Sequence, residues 1–118
     1  LNACPPGWHL HGDDEWIQLE VAIGMANVDA RKTGWRGTPP GQAFILLEGG
    51  TSGLDLCICG HYYGKKMKYF NKEAFYWTAT MQDKRNVWIR HFIGRASIDR
   101  VPNPADLKMS VRCLKDGE

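Results

Sequence analysis

The stretch ACPPGWHLHGDDEW, residues 3–16, holds the most distinctive side chains of this 118-residue chain. It combines a cysteine, two histidines and three consecutive acids, so three interpretations compete. Cys4, His9 and His11 could bind a metal, residues 13–15 could form an acid–base site, or the stretch could be a structural clasp that starts a domain. The choice depends on the type of element that the stretch begins.

Helix-start signals favour the structural interpretation. A short extended segment at Trp8–Leu10 is followed by a predicted helix from 13 to about 24, with Gly12 at the N-cap position. Glu15 supplies the acidic half of a capping box, and carboxylates in the first turn complement the helix dipole. Trp16, together with the apolar residues at 19 and 23, gives one buried stripe at helical spacing.

In this interpretation, the histidines, apolar residues and acids of the opening stretch have structural roles. His9 is expected to be packed and hydrogen-bonded, and His11 is expected at the surface. Trp8 and Leu10 are expected to enter the core, and the acids at 13 and 14 are expected to serve the helix dipole alone.

After the first helix, the periodicity of apolar residues changes from helical to alternating. A second short helix is predicted at 26–32, followed by a loop at 34–42 because of its glycines and prolines. Two prolines also predict a loop at 101–106, since proline cannot donate to a paired ladder. Alternating patterns predict strands at 54–58, 75–80, 86–93, 95–101 and 107–114. The fold class is therefore α+β, with two helices flanking a twisted antiparallel sheet in a single domain, 1–118.

Composition excludes several functions. The net charge of +2 is too small to indicate a nucleic-acid partner, and the densest basic run, at 64–68, is typical of a solvated turn. No apolar run is long enough to span a membrane. We find no P-loop, GxSxG, HExxH or dinucleotide-binding pattern and no nucleophile–base pair. We therefore predict that the chain is not an enzyme and needs no cofactor or metal.

Three motifs extend from residue 4 to residue 116. Their residues are Cys4, Pro5, Gly7, Trp8, His9, Leu10, Asp13, Glu15 and Trp16; then Tyr76, Trp77, Thr78, Ala79 and Thr80; then Ser110, Val111, Arg112, Cys113, Lys115 and Asp116. Together and in this order, the three motifs resemble the Fibrobacter succinogenes major paralogous domain. His11 and Gly12 depart from the family's usual Pro-Ser, which predicts a weaker helix N-cap here.

The resemblance implies a C-type-lectin-like fold, in which the terminal strands pair and a loop-rich half carries ligands. If the ends pair, Cys4 and Cys113 can form a disulfide. Members of the family occur on secreted or surface-anchored proteins of Bacteroidetes and Fibrobacteres. The resemblance therefore implies an extracellular or cell-envelope location, within a longer secreted or lipid-anchored protein.

Cys57 and Cys59 have no assigned role in the resemblance. On a strand they would point to one face with geometry that is poor for a disulfide, so two semi-buried thiols are expected. A metal site completed by His61 is the alternative, although zinc sites prefer CxxC-type spacing. The sequence leaves free, bridged and metal-bound states open.

The predicted function is a non-catalytic recognition module that binds a surface glycan or a protein. An assembly domain of a surface appendage or array, with no small ligand, is the alternative. Aromatic side chains would stack on sugars or anchor a partner, and arginines would bind carboxylates or hydroxyls. The candidate ligand residues are Trp35, Arg36, Tyr62, Tyr63, Trp88, Arg90 and Arg95.

Overall fold

The protein has an α+β fold with short helices near its start and antiparallel strands along the rest, as predicted. The structure is a computed structural model that describes residues 3–36, 46–47, 50, 56–63, 65–70, 72–93 and 97–117, with the backbone alone at 62 and 63. In chain order the elements are β1 (Trp8–Leu10), α1 (Asp13–Ala22), α2 (Asn27–Ala30), β2 (Gly34–Arg36), β3 (His61–Tyr63), β4 (Lys66–Lys68), β5 (Glu73–Met81), β6 (Asn86–Ile93), β7 (Ser97–Pro104) and β8 (Cys113–Lys115).

The strands form three antiparallel groups. The largest is a four-stranded sheet in the order β2-β7-β6-β5, and β3 pairs with β4 as a hairpin. The first and last strands pair with each other, so that Leu10 lies opposite Cys113. This confirms the prediction that the two ends of the chain meet.

The start of α1 follows the sequence signals. Gly12 is the N-cap in an extended conformation, and its N–H donates to Glu15 Oε1 at 2.9 Å. The helix ends at Ala22, two residues before the predicted end, and Gly24 follows with a φ of 113°. A residue without a Cβ adopts this conformation without steric cost, which explains why the helix stops there.

The hydrophobic core lies between the helices and one face of the four-stranded sheet. Trp16 and Ile17 of α1 pack in one cluster with Phe92 of β6 and Ile98 of β7. The buried face of α1 differs from the predicted stripe, because it consists of Asp13, Trp16, Ile17 and Glu20. The residues at 19 and 23 are only partly buried against the cluster.

Parts of two segments predicted as loops are strands, and residues 37–42 of the first segment lie outside the described residues. Residues 34–36 form β2, and β7 continues through Pro102 to Pro104, where it still pairs with β6. Pro102 and Pro104 are two residues apart, so their backbone nitrogens point to the same side of β7. On that side, β2 reaches only as far as residue 100, where Gly34 is paired. Their ring nitrogens therefore face an open edge, where proline is tolerated because no ladder bond is lost.

Two predicted strands are not continuous where the structure describes them, and residues 54 and 55 lie outside the described residues. Within the described part of 54–58, Leu56 makes only an isolated bridge to Leu47. From 107 to 114, Ser110 makes an isolated bridge to Tyr76, and regular pairing begins at Cys113. Alternating hydrophobicity here reflects single contacts rather than continuous strands.

In the opening stretch, the exposures of Trp8 and His11 are reversed from the prediction. Trp8 is 45% exposed and His11 is 5% exposed, whereas the His9 side chain is partly exposed. The His11 ring lies 5.2 Å from the ring of Trp16, and its Nδ1 bonds the carbonyl of Arg112 at 3.0 Å. Burial lowers the pKa of His11, because it penalises the charged imidazolium.

His9 is hydrogen-bonded, as predicted, but at the surface. Its Nε2 lies 2.9 Å from Glu15 Oε2 and its Nδ1 lies 2.8 Å from Asp116 Oδ1. The hydrogen bond to Glu15, followed by that to Asp116, raises the pKa of His9 above its ordinary value. The histidine thus joins the start of α1 to the end of the chain.

Candidate functional site

One row of side chains crosses the four-stranded sheet on the face opposite the helices. The strand register aligns Trp35 with Asp99, Asp99 with His91, and His91 with Phe75. Residues opposite each other in neighbouring strands share a face, so these four side chains are cross-strand neighbours. The His91 ring stacks on Phe75 at 4.2 Å and lies 5.2 Å from the indole of Trp35.

His91 lies between two carboxylates in the middle of this row. Its Nε2 is 2.6 Å from Glu73 Oε1, and its Nδ1 is 3.3 Å from Asp99 Oδ2. All three side chains are 13–16% exposed. A ring nitrogen donates only when it carries a proton, so both contacts are hydrogen bonds at once in the doubly protonated ring. The second oxygen of each carboxylate has no partner among the described residues.

The row continues beyond β5 onto the hairpin of β3 and β4. The His61 ring meets Phe75 edge-on at 4.6 Å, and the Tyr69 ring lies 5.7 Å from His61. His61 Nδ1 is buried without a hydrogen-bond partner among the described residues. We call the five rings of Trp35, His91, Phe75, His61 and Tyr69 the aromatic row. Its two terminal rings are exposed, and its middle is more covered.

The backbone fixes the position of Tyr69 at one end of the row. Tyr69 has a φ of 61°, which is unfavourable for a side chain with a Cβ. Its carbonyl accepts hydrogen bonds at 2.9 Å from the N–H groups of both Lys72 and Glu73. Gly60 packs directly beneath this turn, where an added Cβ would overlap the carbonyl of Lys68. Strained conformations of this kind persist where their surroundings determine them, and they are frequent at binding sites.

Two of the predicted ligand residues are in the interior, so the expectation that they offer an exposed ligand surface is wrong. Arg36 is 3% exposed and Arg90 is 0% exposed. Arg36 Nη2 donates to Glu20 Oε2 at 2.6 Å, and Arg90 Nε donates to the same oxygen at 3.0 Å. Arg36 Nη1 also donates to the carbonyl of Ala30 at 2.6 Å. Strand alternation explains the placement, since both arginines lie on the core face.

Asp13 extends this buried network to the surface of the molecule. Its carboxylate accepts from Arg90 Nη1 at 2.7 Å and from Arg100 Nη2 at 2.7 Å. Burial opposes the ionisation of Asp13, but the bonds from Arg100 and Arg90 outweigh it and hold its pKa below the ordinary value. Asp13 therefore does more than complement the helix dipole, which corrects the prediction made from the sequence.

The other predicted ligand residues lie in different places. Trp35 is exposed at one end of the aromatic row, whereas the ring of Trp88 carries the guanidinium of Arg100 at 4.1 Å. Tyr62 and Tyr63 belong to β3, but their side chains lie outside the description, and so does Arg95. The row thus contains one described residue of the predicted set, Trp35.

Sequence reasoning missed His91 and the two carboxylates beside it. Glu73, His91 and Asp99 come together only through the register of three strands. The strands around 75–80 and 86–93 were predicted correctly, and their alternation was the available signal. His91 has the opposite parity to Phe92, a core residue, which predicts that the two side chains point to opposite faces.

The cysteines form two pairs. Cys4 and Cys113 form a disulfide with Cα atoms 5.8 Å apart, which confirms the bridge that the resemblance implied. Cys57 and Cys59 form the second pair, with Cα atoms 5.3 Å apart, a separation within the range that disulfides span. Residues 57–59 are not in a regular strand, and an irregular backbone brings alternate residues closer than a strand does.

A shallow apolar cavity of about 340 Å³ lies on the same face of the sheet, near the register shift in β5. Trp77 and Val87 line it, together with Leu107 and Met109. Among the residues that the structure describes, no group of three His, Cys, Asp or Glu side chains could hold a metal ion. No helix within the described ranges is long and apolar enough to cross a membrane.

Comparison with known families decides the relationship. The model of the Fibrobacter succinogenes major domain matches residues 1–115, which is nearly the whole chain. The chain belongs to this family. No curated protein matches the chain, and no solved structure matches it either. The predicted membership is therefore confirmed, and the disulfide between Cys4 and Cys113 joins two of the motifs on which the resemblance rests.

Proposed function

We propose that this Fibrobacter succinogenes major domain is a non-catalytic recognition module with a C-type-lectin-like fold, which binds a surface glycan or protein ligand. The observation that carries the proposal is Trp35, a 47% exposed indole beside the cluster formed by His91 and its two carboxylates. An exposed ring next to hydrogen-bonding groups is the combination that recognition surfaces use.

The cluster offers two kinds of contact to a ligand. The free face of the Trp35 indole can stack on a sugar ring or cover an apolar side chain. The second oxygens of Asp99 and Glu73 can accept hydrogen bonds from sugar hydroxyls or from a partner's donors. Because one oxygen of each carboxylate lies within hydrogen-bonding distance of His91, the orientations of both acceptors are restricted, which reduces the entropy lost on binding.

The C-type-lectin-like part of the proposal rests on the arrangement of the ends. In the fold implied by the resemblance, terminal strands pair and two helices flank them. Here β1 pairs with β8, a disulfide joins Cys4 to Cys113, and α1 and α2 follow β1 directly. The aromatic row lies on the sheet face away from these helices and continues onto the hairpin of β3 and β4.

The non-catalytic part rests on the chemistry of His91. A histidine that activates a nucleophile needs one nitrogen oriented by an acceptor and the other facing the nucleophile. In this row both nitrogens of His91 face carboxylates, so neither is directed at a hydroxyl or thiol. The arrangement is suited to positioning carboxylates rather than to transferring protons.

The proposed location is extracellular or in the cell envelope. Disulfides persist in oxidising compartments, and a bridge between the two ends of the domain is typical of secreted proteins. The resemblance implied the same location, in a longer secreted or lipid-anchored protein.

The alternative function, an assembly domain, has less support from the strand edges. Assembly by strand addition needs an open, regular edge. Beyond its pairing with β2, the free edge of β7 carries Pro102 and Pro104, and β4 carries lysines at 66 and 68. Proline and lysine at sheet edges oppose pairing with another chain.

The test compares two exposed tryptophans. Trp35→Ala removes the proposed anchor, and Trp8→Ala removes an indole of similar exposure from β1. Binding is screened on a glycan array and by thermal shift against glycans and candidate proteins, and affinity is then measured by calorimetry. We expect Trp35→Ala to lose about tenfold or more in affinity, and Trp8→Ala to lose less than about twofold.

Two results would count against the proposal. Equal affinities for the wild type and Trp35→Ala would show that Trp35 is not the anchor. The absence of any array hit or thermal shift would argue against glycan binding. Size-exclusion chromatography with light scattering tests the assembly alternative. Concentration-dependent growth of oligomers without a ligand would favour that alternative.

A further inference from the structure

We infer that the Tyr69 end of the aromatic row binds an anionic polysaccharide through the lysine hairpin, which we define as the described residues 61–63, 65–70 and 72. The inference rests on the proposed function, because it assigns a ligand class to the same face of the sheet. It depends on observations that the Trp35 end does not share, so each can fail without the other.

The lysine hairpin carries a concentration of positive charge. Lys65, Lys66, Lys68 and Lys72 are all exposed, and none of them forms an ion pair within the described residues. The sequence contains no acidic residue from 56 to 72. Clustered charge of one sign without internal partners attracts polyanions, and the attraction falls as salt is added.

Exposed apolar side chains alternate with these lysines. Met67, Tyr69 and Phe70 are all exposed, although large apolar side chains are normally buried. Met67 also lines a cavity of about 190 Å³ that Lys108 borders from the segment after β7. The hairpin therefore presents rings and charges side by side, as a chain of acidic sugars requires: ring faces for stacking and ammonium groups for carboxylates.

The geometry of Tyr69 favours a polysaccharide over a membrane surface. A side chain that inserts into a bilayer must project freely from its loop, whereas the Tyr69 ring packs sideways at 5.7 Å from His61 and 6.1 Å from Phe75. Its backbone is held by two hydrogen bonds and by the close approach of Gly60. A ring fixed along the surface forms a rigid stacking platform, which loses little entropy when a ligand binds.

The experiment compares two variants with the same change in charge. The first replaces the hairpin lysines (Lys65→Gln, Lys66→Gln and Lys68→Gln together), and the second replaces three lysines elsewhere (Lys32→Gln, Lys84→Gln and Lys115→Gln together). Polygalacturonate is the probe, with neutral dextran and vesicles of phosphatidylserine and phosphatidylcholine as the comparison ligands. Thermal unfolding verifies that both variants are folded.

We expect the wild type to bind polygalacturonate more weakly as sodium chloride increases, and not to bind dextran. The hairpin variant should lose about tenfold or more in affinity, while the control variant should lose less than about threefold. Unchanged affinity in the hairpin variant would overturn the inference, as would equal losses in both variants. Binding to the vesicles but not to polygalacturonate would also overturn it.

Adding Trp35→Ala separates the inference from the proposed function. Polygalacturonate binding that depends on the hairpin lysines but not on Trp35 supports the inference and contradicts the role given to Trp35. A glycan bound through Trp35 and unaffected by the lysine variant supports the proposed function and overturns the inference.

Discussion

Glu20 holds two buried arginines together, and replacing it should destabilise the whole fold. Its carboxylate is fully buried and accepts hydrogen bonds from Arg36 at 2.6 Å and from Arg90 at 3.0 Å. Glu20→Gln keeps nearly the same shape but removes the negative charge. Arg36 and Arg90 would then remain in the interior with one fewer counter-ion, and Asp13 contacts only Arg90 of the two.

The expected loss is large because the remaining charges cannot reach water. Removing one partner from a buried ion pair costs about 3–5 kcal/mol in the free energy of unfolding. Domains of this size are stable by only about 5–15 kcal/mol, so Glu20→Gln should remove a substantial fraction of the total. For 118 residues, the corresponding fall in Tm is about 12–20 °C, taking about 4 °C per kcal/mol.

Urea unfolding followed by tryptophan fluorescence measures this loss, and Asp14→Asn is the matched control. Asp14 is an exposed carboxylate on the same helix, and its replacement should change the free energy of unfolding by about 0.5 kcal/mol or less. A loss below about 1 kcal/mol in Glu20→Gln would refute the reasoning, since it would mean that the arginines do not depend on this charge.

Three further results are expected. In a histidine NMR titration, His9 should titrate above 6.5, because hydrogen bonds to its carboxylate partners favour the charged ring, and buried His11 should titrate below 6.5. The stabilisation from His9 is then complete below pH 6.5 and is lost as pH rises through the folded-state pKa of His9. His11 lowers the free energy of unfolding as pH falls below 6.5. Titrations in the opposite order would contradict both assignments. Gly60→Ala should lower the free energy of unfolding by about 1–3 kcal/mol more than Gly7→Ala, whose φ is also positive but which has open space around it; equal losses in urea unfolding would exclude a steric cause. Reducing the disulfide that joins the two ends should cost about 4–5 kcal/mol, measured by thermal unfolding with and without reductant, and an unchanged Tm after verified reduction would contradict this.

Local signals in the sequence predicted the first elements well. The bounds of β1, the start of α1 at Gly12 and the capping role of Glu15 depend on neighbours within a few residues, and all were confirmed. The pairing of the terminal strands followed from the family resemblance rather than from the residues themselves. The first kind of signal lies within a few neighbouring residues, and the second lies in motifs that identify the family.

The buried ion network could not be predicted from local pattern. Asp13, Glu20 and Arg90 appear in the sequence as surface charges, since charged residues are rarely buried unless they are paired. Their partners come from strands and a helix separated by up to 87 positions. Only the assembled fold shows that each charge has a counter-charge, which also explains why Arg90 was wrongly assigned to a ligand surface.

The polar part of the candidate site required the register of the sheet. His91 meets Glu73 and Asp99 because three strands pair in one alignment, and a shift by one residue would send these side chains to the other face. The proline-containing end of β7 had been predicted as a loop, so neither the length nor the register of that strand was available from the sequence. Trp35 was identified by its residue type alone.

The central claim is that the sheet face with the aromatic row is the recognition face. Chemical-shift mapping of backbone amides during titration with oligogalacturonate tests it most directly. The account predicts that the amides of Trp35, His91 and Tyr69 shift together, while those of Trp8 and Leu10 do not change. Shifts centred on β1 and α1, or no shifts at all at ligand concentrations that saturate binding on an array, would contradict it.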